Sequence, residues 1–161
     1  MGNSHRRYIA VETAVSVVIN VLISALFMFA VFGRTPLIEL WGTHGLAVDF
    51  IPQSFMISAM SVLVPTLIAR KRIREGALST RLSATPSRPF AHLAVRVVVL
   101  AALLTVILGA AGVALLSAVW TGPVGFWQAF PYKLAYGATV ALIATPIGLS
   151  MALSEPKKLP S

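Results

Sequence analysis

The sequence predicts an all-α protein: a four-helix transmembrane bundle with both ends of the chain on the cytoplasmic side. Three observations carry that expectation. Of 161 residues, 57% are hydrophobic and only 11% are charged, less than half the share of about a quarter found in soluble domains. Four apolar stretches each reach the roughly 20 residues that a helix needs to cross a bilayer. The basic residues fall between those stretches, and almost all of them fall on one side.

The first stretch is 11–32, "VETAVSVVINVLISALFMFAVF". Arg6 and Arg7 ahead of it would suit a signal peptide, but the run is too long for a signal core and contains Glu12 and Asn20, so a retained span is expected. Glu12, Ser16, Asn20 and Ser24 recur every four residues, which places them on one slowly drifting helix face. The second stretch is 50–69, with Ser54, Ser58, Ser61 and Pro65 on a similar face. Asp49 is expected to cap its first turn, where a carboxylate meets the positive end of the helix dipole. Pro52 fits that first turn, because its missing N–H costs little there. The third stretch, 97–120, carries small residues at Ala101, Thr105, Gly109 and Gly112; its "GAAG" is read as a helix-packing feature and not as a nucleotide loop. In the fourth stretch, 131–153, Lys133, Gly137, Ala141 and Thr145 line up. Pro65 and Pro146 lie inside their spans and are expected to kink them. Turn and breaker residues fill the gaps: "GRTP", "TPSRP" and "TGPVG".

Orientation follows from Lys and Arg. Arg6, Arg7, Arg70, Lys71, Arg72, Arg74, Arg81, Arg88, Arg96, Lys157 and Lys158 fall on one side, eleven in all, against Arg34 and Lys133 on the other. Trp41, Trp120 and Trp127 fall near the opposite, outer boundary, where amphipathic rings settle. The basic loop 70–96 is therefore expected in the cytoplasm. Arg70, Lys71, Arg72 and Arg74 are its candidate contacts to anionic lipid headgroups.

Sliding the chain by 81 residues lays the first span on the third and the second on the fourth, with Pro65 on Pro146 and Phe55 on Tyr136. A parallel tandem duplication of a two-helix hairpin is one reading. The shared hydropathy of any two hairpins is the other.

Chemistry-bearing patterns are sparse. With no cysteine, disulfides and thiolate metal sites are excluded. His5, His44 and His92 lie outside the spans or at their edges and form no ligand pair. No phosphate loop, nucleophile elbow or zinc-protease helix occurs. Neither an enzymatic activity nor a cofactor or metal is expected. The charge of +8 and pI near 10.9 would permit nucleic-acid binding, but basic residues set between apolar runs read as a topology signal. The candidate polar residues are Glu12, Asn20, Asp49, Gln53 and Lys133, since ionisable and amide groups inside a bilayer are costly. Asp49 and Lys133, both at outer-side helix starts, are expected to pair. For Asn20, a bond between helices is the first reading.

The segment "FWQAFPYKLAYGATVALIATPIG", with Trp127, Ala129, Phe130, Pro131 and Pro146, resembles a span of small bacterial membrane proteins built from two-helix units. The basic residues of "SMALSEPKK" come later than in that pattern. The resemblance covers about one span and implies no activity; a bacterial-type inner membrane is the location expected for the four-span bundle. The function expected is thus a scaffold, accessory subunit or oligomeric module whose partners are the lipid bilayer and other membrane proteins or copies of itself. The alternative is a small transporter or channel subunit with a polar path between the first, second and fourth helices.

Overall fold

Apolar runs this long, with few breakers inside them, become helices that hold their own backbone hydrogen bonds. In the computed structural model they do. The structure describes residues 3–33, 35–43, 45–76 and 92–154. Arg34, His44, Ser79, Arg81, Arg88, Lys157 and Lys158 lie outside them. In chain order come α1 (Asn3–Phe32), β1 (Leu37–Ile38), α2 (Leu46–Arg74), α3 (Leu93–Leu104), a π-helical turn (Thr105–Gly109), α4 (Ala110–Val119), β2 (Val124–Gly125) and α5 (Phe126–Leu153). The unit α3–π–α4 is one continuous third helix, so four helices are long and apolar enough to cross a membrane. Each begins earlier than its apolar stretch. Pro52 and Pro131 consequently sit beyond the first turn of α2 and α5.

Both hairpin connections lie at the same end, because β1 and β2 pair antiparallel, Leu37 with Gly125 and Ile38 with Val124. At the opposite end, Tyr8 and Ile9 of α1 pack on Ala69 of α2 and on Leu149 and Ala152 of α5. The packing is crossed. The helix α1 lies chiefly against α5, the third helix lies chiefly against α2, and α2 and α5 form the central pair.

The start of α2 differs from expectation. Its N-cap is Gly45, not Asp49. The carbonyls of Glu39 and Leu40 accept the amides of Leu46 and Ala47 at 2.9 and 3.0 Å, so main-chain groups of the connection satisfy the end that a side chain was expected to cap. A Cβ on Gly45 would stand 2.6–2.8 Å from the Trp41 and Leu40 backbone, which leaves room for glycine alone. Asp49 lies in the first turn, and its own amide already bonds to Gly45 O. Its carboxylate is left available for another partner.

The π turn sets the face of the third helix. Before it the buried positions are Arg96, Val97, Ala101 and Leu104; from Gly109 on they are Gly109, Gly112 and Leu116. The five-residue step from Leu104 to Gly109 is the extra residue of a π bulge. Thr105, expected on that face, is half-buried and returns its hydroxyl to Ala101 O at 2.7 Å.

The two glycines differ in what lies above them. A Cβ on Gly112 would come 2.5 Å from the Tyr136 ring and 3.2 Å from Phe50, whereas one on Gly109 would touch Ser54 Oγ at 3.4 Å. Gly112→Leu is therefore expected to cost the upper part of the about 1–3 kcal/mol typical of overpacking. Gly109→Ala should be near neutral, and thermal unfolding of the two variants in detergent checks the order.

Candidate functional site

The polar stripes expected on the first, second and fourth helices face one another. Glu12, Ser16, Asn20 and Ser24 of α1, Ser54, Ser58 and Ser61 of α2, and Lys133 and Thr145 of α5 are all buried. Small residues let the helices close: a Cβ on Gly137 would stand 2.5 Å from Ser24 Oγ.

At mid-length the seam is a hydrogen-bonded cluster joining three helices. Thr145 donates to Ser16 Oγ at 2.8 Å, and Ser16 donates to Ser61 Oγ at 3.3 Å. The Asn20 amide donates to Ser16 O at 2.8 Å and to Ser61 Oγ at 3.1 Å. Asn20 is only 6% exposed. Its role is thus the interhelical bond that the sequence suggested. Toward the connection end, the Gln53 amide donates to Ser24 Oγ at 3.3 Å. Two buried acceptors near this level, Gln53 Oε1 and Ser58 Oγ, have no hydrogen-bond partner among the described residues.

Each end of the seam carries an ion pair. At the connection end Lys133 donates to Asp49 and lies 5.1 Å over the Phe32 ring. Both charges were expected at an interface. The structure instead leaves the lysine side chain 1% exposed and the aspartate 26% exposed. Aromatic side chains are dense at this end: the Phe50 and Tyr136 rings lie 4.3 Å apart at a tilt of 56°, and Phe29, Phe126, Trp127 and Phe130 form a second cluster. At the other end Arg72 lies 3.4 Å from Glu12 and 5.1 Å over the Tyr8 ring. Glu12 therefore does not stand alone, and Arg72 is drawn inward onto it.

Across the central pair, Tyr136 and Ser54 share a hydrogen bond while Ser54 gives its own proton to Phe50 O, so Tyr136 is the donor. On the far side Arg96 is 2% exposed and donates to Thr66 Oγ1 at 3.4 Å. The sequence reading missed Arg96, which it counted as a loop charge, because α3 starts at Leu93 and takes it into the bundle. It missed Gly148 as well, whose Cβ would meet Val62 Cα at 3.0 Å. The sequence signal was an arginine directly preceding an apolar run and a glycine in phase with Gly137, Ala141 and Thr145.

Two of the cavities along the bundle have linings that do not include Asn20 or Gln53. One of about 450 Å³ lies at the connection end between Phe29, Pro36, Phe126 and Trp127. The other, about 240 Å³, lies between Leu108, Gly112 and Leu115 on one side and Tyr132, Tyr136 and Thr139 on the other. Among the described residues no three His, Asp or Glu side chains are grouped to hold a metal ion. Comparison with protein-family models, with curated proteins and with solved structures finds no match to this chain.

Proposed function

We propose that this chain is a small integral membrane protein of a bacterial-type inner membrane that acts without chemistry of its own, as a scaffold, accessory subunit or oligomeric module. One observation carries the reading: Ser16, Asn20, Ser24, Gln53, Ser61 and Thr145 hydrogen-bond one another across α1, α2 and α5. Such bonds fix helix register in a bilayer, where lipid offers no competing partner. A substrate path would instead leave Asn20 and Gln53 facing a cavity. A second reading, a transporter or channel subunit, draws support from Gln53 Oε1 and Ser58 Oγ. Buried acceptors without partners favour a bound water.

The proposed orientation puts the hairpin connections outside and the two chain ends in the cytoplasm. Its support is the asymmetry of the basic residues, together with the pairing of β1 and β2 at the end opposite Arg72. Reporter fusions are expected to place Ser4 and Ser79 in the cytoplasm and Thr43 outside. Labelling of the 77–91 segment from outside would reverse the orientation.

The duplication belongs with this reading. Crossed packing of α1 on α5 and of the third helix on α2 is what a two-fold relation between hairpins would give. Burial recurs in phase at an offset of 79 residues, Phe50 with Ala129, Ser54 with Lys133, Ser58 with Gly137 and Thr66 with Thr145, whereas at the 81-residue offset that lays Pro65 on Pro146 the buried Ser54, Ser58 and Thr66 fall on the exposed Ala135, Thr139 and Ile147. The two threonines occupy matching joints: Thr145 bonds Ser16 of α1, and Thr66 is bonded by Arg96 of α3.

A further inference from the structure

Opposite the hairpin connections, the first turns of α1 meet the last turn of α2. Arg72 joins them, over the Tyr8 ring at 5.1 Å and beside Glu12 at 3.4 Å. That tie brings Arg6 and Arg7, next to Tyr8 in the chain, into the neighbourhood of Lys71 and Arg74, which flank Arg72. All four are exposed. The acidic residues described at this end are Glu12, engaged by Arg72, and Glu75, 3.9 Å from Lys71. Positive charge is therefore left uncompensated. At the connection end the described charges include no such surplus: Lys133 is consumed by Asp49, and Glu39 is acidic.

The cluster also has a defined depth. Ala69, Leu149 and Ala152 close the apolar core directly beneath it, against Tyr8 and Ile9. In a bilayer, the plane just beyond the apolar end of a bundle is where headgroup phosphates lie. Arginine forks bind phosphate oxygens in pairs, and a lysine supplies a point charge beside them.

The geometry points to a binding site for the phosphate of an anionic phospholipid, held between Arg6 and Arg7 of α1 and Lys71 and Arg74 of α2. Of the four headgroup contacts expected from sequence, Arg72 becomes a positioning residue, since Glu12 and Tyr8 hold it. The inference rests on the four helices spanning a bilayer and adds a ligand to that reading. The lipid would tie the first turns of α1 to the last turn of α2 at this end.

The test uses the full chain in detergent, titrated with phosphatidylglycerol or with phosphatidylcholine of the same acyl chains, and counts bound lipid by native mass spectrometry. Each basic side chain at a surface contributes about fivefold, so Arg6→Gln with Arg74→Gln is expected to lower phosphatidylglycerol affinity about 25-fold. Arg81→Gln with Arg88→Gln removes the same charge from the 77–91 segment and should leave affinity unchanged. Equal losses in the two double variants would overturn the site, as would a wild type that does not prefer the anionic lipid. Displacement of the lipid by equimolar glycerol phosphate would show a free phosphate ester to be the ligand and overturn the lipid assignment. Should the first double variant fail to fold, Arg74→Gln alone is expected to lose about fivefold, and no loss there would count against the site. Alkaline extraction of membranes separates the two levels. Release of the chain would sink the spanning reading, whereas an inserted chain with no lipid preference would sink the site alone.

Discussion

Asp49→Asn is expected to destabilise the folded chain by about 3–5 kcal/mol, the cost of leaving one partner of a buried ion pair without its counter-charge. Lys133 would be the stranded group, with its side chain 1% exposed and its ammonium 5.1 Å over the Phe32 ring. Asp49→Ala should cost about as much, because the carboxylate does not cap α2, and the Glu39 and Leu40 carbonyls already serve its first turn. Lys133→Met should cost less, about 1–3 kcal/mol, the range for a polar group that loses its partner. The asymmetry arises because Asp49 is 26% exposed and keeps access to solvent. The double variant Asp49→Leu with Lys133→Met should recover most of the loss, since apolar packing often replaces a buried pair without penalty. Reversible unfolding in mixed micelles gives these values and that of the single Asp49→Leu, which closes the double-mutant cycle and isolates the pair. A harmless Asp49→Asn beside a harmful Asp49→Ala would return the residue to a capping role.

Gly148→Leu is expected to separate α2 from α5 and to abolish the compact fold. A Cβ at Gly148 would lie 3.0 Å from Val62 Cα and 3.1 Å from its Cγ1, so even Gly148→Ala must push a helix backbone, at about 1–3 kcal/mol. Val62→Ala should restore part of the alanine variant by removing Cγ1, but not all of it, because Cα remains. Gly122→Ala is the control, with nothing within 4 Å of the new Cβ. Similar unfolding midpoints for Gly122→Ala and Gly148→Ala would mean that the central pair is looser than this packing implies.

What was legible in the sequence was what repeats along a helix. The stripe Glu12, Ser16, Asn20, Ser24 and the stripe Lys133, Gly137, Ala141, Thr145 each turned out buried as a set, because period 3.6 decides which side chains share a face. The Asp49–Lys133 pair was legible as well, being opposite charges at the same end. Its depth was not, since that depends on how the packed helices carry Lys133 inward beside the Phe32 ring. Helix starts were placed late because apolarity marks where a bilayer would begin, while the helix itself runs on through Arg6, Arg7 and Arg74. The capping assignment failed for a related reason. Main-chain carbonyls of a connection leave no residue signature. The π turn was equally silent, because Thr105–Gly109 is as apolar as its neighbours and only the changed phase of burial reveals it.

The central claim is that the seam between α1, α2 and α5 is packed and dry. The chain has no native cysteine, so a single Ser61→Cys substitution gives one nearly isosteric reporter at a position 1% exposed. In proteoliposomes a charged, water-soluble thiol reagent should leave Cys at position 61 unmodified until the protein is unfolded, while a Thr43→Cys control at the exposed connection reacts at once. Modification of position 61 in the folded protein at a rate comparable to position 43 would mean that water reaches Asn20 and Ser61, and the seam would then be a path.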